Sequence, residues 1–179
     1  NNIVTKILTP PKKPKLELFN IHSALEKVFA LSQVDKDGSL ILKRDYDPSI
    51  PEIYGDEDLF IQAILNIVKN AQQALLLTTN PVITIKSRVS YSQPINGNLH
   101  PTLCEVSIID NGPGIPTDIQ EQVFFPMVSS KEDGSGLGLS ISQDIIRIHG
   151  GAITFKTKSG ETAFSIQIPI KLNTEVQSA

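Results

Sequence analysis

Two asparagines and a glutamine in the middle of the chain have a spacing that suits a metal-assisted ligand site. Asn66 and Asn70 are four residues apart, so on a helix they share one face, and Gln73 lies beside them. An amide oxygen is a hard, neutral ligand that suits Mg²⁺, which takes its other ligands from water and phosphate. A solvated polar flank, or an asparagine that caps a neighbouring loop, explains the same residues.

An acidic residue followed by spaced glycines forms a second group. Asp110 ends an apolar run, and Gly112 and Gly114 follow it. The carboxylate can accept a hydrogen bond from an exocyclic amine such as that of adenine, and the glycines let the backbone turn sharply and approach a ligand. The alternative is a simple turn after a strand, for which Asp-Asn-Gly is a common sequence.

Two further groups lie toward the C-terminus. Gly134, Gly136 and Gly138 open a predicted helix, where free backbone N–H groups attract anions; close helix packing is the alternative. Thr162 precedes the last strand, and its hydroxyl can bond to a base or only support a hairpin turn. The glycine spacings match neither the P-loop nor the dinucleotide-binding pattern, so neither of those sites is predicted.

Hydrophobic periodicity places these groups on a small set of elements. The predicted elements are helices at 20–31, 56–77 and 137–149, a short helical turn at 119–125, strands at 40–46, 82–89, 103–110, 152–157 and 163–170, and a hairpin loop at 92–101. Helices and strands do not alternate strictly. We therefore expect an α+β fold, a two-layer α/β sandwich in which one mixed sheet carries helices on one face.

Composition limits the class of protein. The chain has 179 residues, 40% of them hydrophobic, and a formal net charge of −3, which argues against a general nucleic-acid binder. One cysteine, Cys104, excludes an intramolecular disulfide and favours a reducing, cytoplasmic setting. No apolar run approaches the ~20 residues of a membrane span. Because the chain begins at Asn1 without methionine, we expect it to be a piece of a longer protein.

Four segments, taken in order, resemble the catalytic ATP-binding domain of bacterial sensor histidine kinases. That family lies in the superfamily of DNA gyrase, heat-shock chaperone and mismatch-repair ATPases. The resemblance covers roughly 19–170 and rests on the N box at 65–71, the G1 box at 110–115, the F box at 123–127 and the G2 box at 134–139. Residues 44–51, 125–129 and 137–141 are similar, more narrowly, to the nitrogen-regulation sensor kinases.

The resemblance implies a Bergerat-type ATP-binding fold with ATP and Mg²⁺ as ligands. Asp110 then takes the adenine amine with help from Thr162, Asn70 ligates Mg²⁺, and Asn66 and Lys131 serve catalysis, with Lys69 a weaker phosphate contact. Residues 116–135 form a mobile lid over the phosphates, which Phe124 and Phe125 anchor to the core. The other implied nucleotide contacts are Gln73, Gly112, Gly114, Ile115, Gly134, Gly136, Leu137, Gly138 and Leu139.

Asn66 also implies that the domain is a poor ATP hydrolase. Hydrolytic members of the superfamily carry a glutamate at this position, where it activates water as a general base, and an amide cannot accept that proton. The chain is therefore expected to bind ATP but to hydrolyse it slowly. The phosphoryl group is kept for another acceptor, and positioning and charge neutralisation dominate its transfer.

In the family, that acceptor is a histidine on a separate dimerisation domain, which we expect upstream of Asn1. The three histidines of this chain, His22, His100 and His149, lack the acceptor motif and are expected to be structural. Residues 1–15 are then the end of a dimerisation helix and a linker, 16–171 the catalytic domain and 172–179 a flexible tail. The expected partners are the dimerisation domain, a response regulator and a PII-type signalling protein. The chain alone should not autophosphorylate.

Two other functions fit the same residues. A nucleotide-dependent binding module that docks a PII-type protein without phosphoryl transfer needs the same pocket. A protein-serine kinase of the anti-sigma type belongs to the same superfamily, but the 92–101 hairpin and the N-terminal linker argue against it. A hydrolase is disfavoured by Asn66.

Overall fold

The structure, a computed structural model, describes residues 13–33, 39–95, 97–126 and 136–170. The helices and strands found in these residues are β1 (Glu17–Phe19), α1 (Ile21–Ser32), β2 (Ile41–Asp45), β3 (Ile53–Gly55), α2 (Glu57–Ala74), β4 (Val82–Ile95), β5 (Asn98–Asp110), α3 (Thr117–Gln120), α4 (Gly138–Ile148), β6 (Ala152–Lys158) and β7 (Glu161–Pro169). The predicted dimerisation helix and linker at 1–15 lie outside the described residues up to position 12, and so does the whole predicted tail at 172–179.

Five strands form one mixed sheet in the order β2-β4-β5-β7-β6. β2 runs parallel to β4, and every other neighbouring pair is antiparallel. β5 is the middle strand, and Asp110 stands at its C-terminal end. β1 and β3 pair separately as a small antiparallel sheet.

The helices cover one face of this sheet. Alternate strand residues such as Ile85, Val106 and Ile166 are fully buried and share one hydrophobic core with Ile64 and Ile67 of α2. Side chains at the intervening strand positions point to the other face, because successive residues of a strand alternate. That face is polar and carries Lys86, Arg88, Glu105, Ser107, Ser165 and Gln167. The predicted α+β two-layer architecture is confirmed.

The ends of α2 and α4 are joined to each other. Asp56 caps α2, where its carboxylate accepts the Leu59 N–H at 3.0 Å. At the end of α4, buried His149 lies between two backbone groups: Nδ1–H donates to the Ile145 carbonyl at 2.8 Å, and Nε2 accepts the Asp56 N–H at 3.0 Å. The C-terminus of α4 is thereby held against the N-terminus of α2.

The predicted hairpin loop at 92–101 is wrong, because both strands continue through it. Ile95 pairs with Asn98, so positions 96 and 97 alone connect β4 to β5, and Gly97 has a φ of +83°. Pro94 and Pro101 do not end the strands. Counting back from the Ile95–Asn98 pair places both prolines at positions that need no N–H toward the partner strand.

Two other boundaries differ from the prediction. The long helix ends at Ala74, and residues 75–77 form a turn in which the Leu75 N–H bonds to the Ala71 and Gln72 carbonyls. The short strands β1 and β3 were not predicted, since each has only three residues and the nearby prolines hide the pattern. No helix of the described residues has both the length and the apolar character that crossing a membrane requires.

Candidate nucleotide-binding site

A cavity of about 820 Å³ opens at the end of the sheet where β5 and β7 meet the C-terminal half of α2. Its walls are largely apolar and its few polar groups converge from different elements, which is the usual character of a small-molecule site. The lining residues are Asn70, Ala71, Gln73, Ala74, Leu76, Leu77, Thr78, Asp110, Pro113, Gly114, Ile115, Pro116, Ile119, Val123, Leu139, Thr162 and Phe164.

Seven of the predicted site residues line this cavity together. They are Asn70, Gln73, Asp110, Gly114, Ile115, Leu139 and Thr162. They come from α2, the end of β5 and the loop after it, α4 and β7. Residues that are up to 92 positions apart in the sequence therefore converge as the motifs predicted.

Asp110 is the charged group that this arrangement buries. Its residue is 4% exposed, and one carboxylate oxygen, Oδ1, accepts the Gly112 N–H at 2.9 Å. Burial raises the pKa of Asp110 above its ordinary value, and the Gly112 N–H opposes that rise. A carboxylate held in an apolar cavity with one oxygen engaged is suited to accept hydrogen bonds from a ligand amine.

The loop after β5 is fixed by the β6–β7 hairpin. The Gly160 N–H donates to the Gly112 carbonyl at 3.0 Å. Gly114 has a φ of +89°, and a Cβ there would lie 2.8 Å from the Lys158 carbonyl oxygen, so only glycine fits at this position. The spaced glycines of the sequence are thus required by the turn and by the close approach of the hairpin.

Asn66 is not among the residues that line the cavity. Its Nδ2 donates to the Gly138 carbonyl at 3.2 Å, and the buried Ser142 hydroxyl lies 2.9 Å from the same carbonyl and 3.1 Å from that of Ala63. These contacts bind the first turn of α4 to α2. Gly138 and Leu137 are the first helical residue and the N-cap of α4, and Gly136 precedes them with a φ of +61°.

The predicted lid is described only in part. Lys131 and Gly134 lie outside the described residues. Phe124 packs edge-on against Phe155 and Phe164 with ring centroids 6.0 and 6.3 Å apart, as an anchor should. The prediction for Phe125 is wrong, because this residue is 59% exposed, whereas its neighbour Phe124 packs against the core. Lys69 is exposed and does not line the cavity.

Several cavity residues were not predicted. Leu76 and Leu77 line the cavity from the turn after α2, where they are 79% and 100% exposed. Two adjacent exposed leucines just past a helix end were a signal that sequence reasoning missed. Farther along, Asn111 bonds to the segment that leads into β4: its Oδ1 accepts the Val82 N–H at 2.7 Å, and its Nδ2 donates to the Asn80 carbonyl at 3.0 Å.

Comparison with known proteins agrees with the motifs. Residues 55–172 match the family model of histidine kinase-, DNA gyrase B- and HSP90-like ATPases. The sensory histidine kinase/phosphatase NtrB of Vibrio alginolyticus is 45% identical over 168 residues, and that of Salmonella typhimurium is 39% identical over 170 residues. These alignments cover 94% and 95% of this chain but 48% of each relative. The chain thus spans about half the length of the curated relatives that it matches.

Solved structures show the same fold. The catalytic domain of histidine kinase ThkA matches with a TM-score of 0.73 and 27% identity, over 87% of this chain and 96% of that domain. The same kinase in complex with the response regulator TrrA matches with a TM-score of 0.72 and 26% identity, over 94% of this chain and 46% of that chain. The chain therefore belongs to the histidine kinase-, DNA gyrase B- and HSP90-like ATPase family, and within that family it is similar to the catalytic domains of histidine kinases, NtrB sensor kinases among them.

Proposed function

We propose that this domain binds ATP with Mg²⁺ in the cavity beside Asp110 and donates the γ-phosphoryl group to a histidine on a separate dimerisation domain. The observation that carries the proposal is that the buried Asp110 carboxylate and the Asn70 amide of α2 line the same cavity. An adenine amine suits the first group, and a phosphate-bound cation suits the second.

The walls fit a purine. Ile115, Leu139 and Phe164 line the cavity with apolar surface, against which a flat ring can be buried, while Thr162 adds a hydroxyl opposite Asp110 on the neighbouring strand. Asp110 distinguishes ligands, since only a base with an amine in its reach satisfies the carboxylate. Leaving a buried carboxylate unpaired carries a large penalty.

The cation is expected to depend on the nucleotide. Within the described residues, no three His, Cys, Asp or Glu side chains form a metal cluster. Asn70 contributes one neutral oxygen, so the other ligands of Mg²⁺ would be phosphate oxygens and water. Bound in this way, the cation neutralises phosphate charge, and Asn70 fixes the position of the phosphates relative to Asp110.

Asn66 favours transfer over hydrolysis. An amide that donates to the Gly138 carbonyl is engaged in the helix contact and has no basic group with which to activate water. In the proposed transfer, the bond between the γ-phosphorus and its bridging oxygen breaks, a phosphorus–nitrogen bond to the acceptor imidazole forms, and ADP leaves. Lys131 and Gly134 remain proposed phosphate contacts on the strength of the motifs.

The partners follow from the same proposal. A histidine-bearing dimerisation domain is the acceptor, and a response regulator is the next acceptor, as the complex of ThkA with TrrA illustrates for that kinase. A PII-type protein is proposed as a regulator from the nitrogen-type resemblance.

Cys104 is buried and free, which fits the reducing cytoplasm. The relatives are kinase/phosphatases by name, and no comparison supports a binding module without transfer.

Calorimetric titration with ATP, with and without Mg²⁺, tests the ligand assignment. Asp110→Ala should weaken ATP binding by at least about 10-fold, because it removes a charge-assisted hydrogen bond. Asn70→Ala should bind ATP alone as the wild type does but lose most of the gain that Mg²⁺ brings. Asp144→Ala, which removes a carboxylate from the exposed face of α4, is the matched control. Unchanged binding in Asp110→Ala would contradict the proposal.

A further inference from the structure

A row of polar residues crosses the end of the sheet beneath the cavity. Asp110 of β5 pairs with Thr162 of β7, and Thr162 pairs with Thr157 of β6. Residues opposite each other on neighbouring strands share one face, so all three belong to the face that carries the core. In the next row, the positions equivalent to Asp110, Thr162 and Thr157 are apolar and are occupied by Ile108, Phe164 and Phe155.

Thr157 occupies a position in this row from which it can set the direction of the Thr162 hydroxyl. Thr157 Oγ1 accepts the Ile115 N–H at 2.9 Å and lies 3.0 Å from Thr162 Oγ1. If Thr162 donated to Thr157, the Thr157 hydroxyl would accept twice, and its own proton would have no acceptor among the described residues. If Thr157 donates, both of its bonds are satisfied and Thr162 keeps its proton for the cavity that it lines.

The same hydroxyl holds a wall of the site. Ile115 lines the cavity, and its N–H has Thr157 Oγ1 as acceptor. Thr157 itself is only half-buried and is absent from the cavity lining. It therefore acts on a ligand through Thr162 and Ile115, and it makes no contact with the ligand of its own.

We propose that Thr157 is a positioning residue for base recognition, which directs the Thr162 hydroxyl proton at a ring nitrogen of adenine. This inference rests on the proposed function. The Watson–Crick edge of adenine presents an amine donor, N6, beside a ring acceptor, N1, and Asp110 and Thr162 then form the complementary acceptor and donor. Guanine presents a carbonyl and an N–H at the same places, so both contacts would be reversed.

The test separates the two contacts with ATP analogues. Purine riboside triphosphate lacks the amine that would donate a hydrogen bond to Asp110. 1-Deazaadenosine triphosphate lacks the ring nitrogen that would accept a hydrogen bond from Thr162. Dissociation constants for ATP and both analogues are measured by calorimetry on the whole chain. The variants are Thr157→Val, which keeps the β-branched shape, and Thr157→Ser, which keeps the hydroxyl.

The wild type should bind the 1-deaza analogue about 10-fold more weakly than ATP, as expected for one lost hydrogen bond with its donor left unpaired. In Thr157→Val this difference should fall to about 2-fold, while the loss caused by the missing amine stays unchanged. Thr157→Ser should restore the wild-type pattern. Circular dichroism melting checks that the variants fold, and Thr157→Ala gives the same comparison if the valine variant does not.

Two results would overturn the inference. The wild type could bind the 1-deaza analogue as tightly as ATP. Alternatively, Thr157→Val could keep the wild-type ratio between ATP and this analogue, including the case in which it weakens ATP and both analogues by one common factor, as a purely structural role predicts. A wild-type chain that binds no ATP contradicts the proposed function itself and is thereby distinguished from these two.

Discussion

At the scale of single residues, the position of Asp110 favours ligand binding more than it favours the stability of the free domain. Its carboxylate is buried, and among the described residues its one hydrogen bond is that from Gly112. Its raised pKa records the penalty for holding a charge there. Groups that are poorly satisfied in the free protein are typical of binding sites, because the ligand supplies the missing partner.

Asp110→Asn should therefore stabilise the free domain while it weakens ATP binding. Because the folded-state pKa of Asp110 is raised, the ionised carboxylate destabilises the fold as the pH rises through that pKa, and the neutral amide does not. At pH 7 we expect the Tm to rise by about 2–4 °C, the shift that about 1 kcal/mol produces in a domain of this size. The difference should shrink as the pH is lowered toward 4. Thermal melts at both pH values check this, and a lower Tm at pH 7 would contradict it.

Asn66 should matter for stability even without nucleotide. Asn66→Asp replaces a donor to the Gly138 carbonyl by a second acceptor, so it should lower the free energy of unfolding by about 1–3 kcal/mol. Urea unfolding at pH 7 measures the change. Ser140→Ala is the control on the same helix turn, where the hydroxyl donates to the Leu137 carbonyl at a more exposed site, and it should change little. Equal stability of the aspartate variant and the wild type would show that the contact is unimportant.

At the scale of elements, the sequence predicted those whose pattern is long and local. The helix face with Asn66 and Asn70, the apolar strand ending at Asp110 and the last hairpin all follow from periodicity and motif spacing. The hairpin between β4 and β5 was predicted, but its strands are longer than expected, because strand register makes Pro94 and Pro101 harmless at those positions. The strands β1 and β3 depend on pairing between distant segments, which no local pattern shows.

The site shows the same division. The motifs predicted seven of the residues that line the cavity, but they did not predict that Asn66 bonds to α4 or that Phe125 is exposed. Both outcomes depend on how two elements pack, and packing is a property of the folded chain. Thr157 carries no motif signal at all, because its role arises from the register of β6 against β7 and from one loop N–H.

Two glycine-to-alanine substitutions distinguish a glycine required for packing, Gly55, from a glycine proposed to contact the ligand, Gly138. At Gly55 a Cβ would lie 2.1 Å from the His149 ring, so Gly55→Ala should disrupt the junction of α2 and α4 and lower stability by about 2 kcal/mol or more. At Gly138 the nearest atom is the Asn66 Cβ at 3.8 Å, an ordinary contact, and alanine favours a helix. Gly138→Ala should therefore leave the Tm unchanged or higher.

If Gly138 also contacts the phosphates of ATP, as the motifs imply, Gly138→Ala should weaken ATP binding although the variant domain stays stably folded. Melting curves and ATP titrations of both variants provide the comparison. A stable Gly55→Ala variant would contradict the packing argument. Unchanged ATP affinity in Gly138→Ala would remove that residue from the proposed site.

At the scale of the whole molecule, two of the three histidines are engaged in contacts within the fold. The His149 ring is bonded through both nitrogens and is buried, while His22 bonds through Nε2 to Ser87 and stacks on Tyr46. The chain spans about half the length of the curated relatives that it matches, and the proposed acceptor histidine belongs to a separate domain. We expect no stable phosphohistidine on the isolated chain after incubation with ATP and Mg²⁺.

The measurement that tests the central claim most directly is phosphoryl transfer in trans. The chain is incubated with Mg²⁺ and ATP labelled in the γ-phosphate, with and without a histidine-bearing dimerisation domain of the nitrogen-regulation type. We expect acid-labile label on the added domain alone, and its loss with Asp110→Ala or with the acceptor histidine replaced. Label on this chain, or no transfer from a chain shown to bind ATP, would contradict the account.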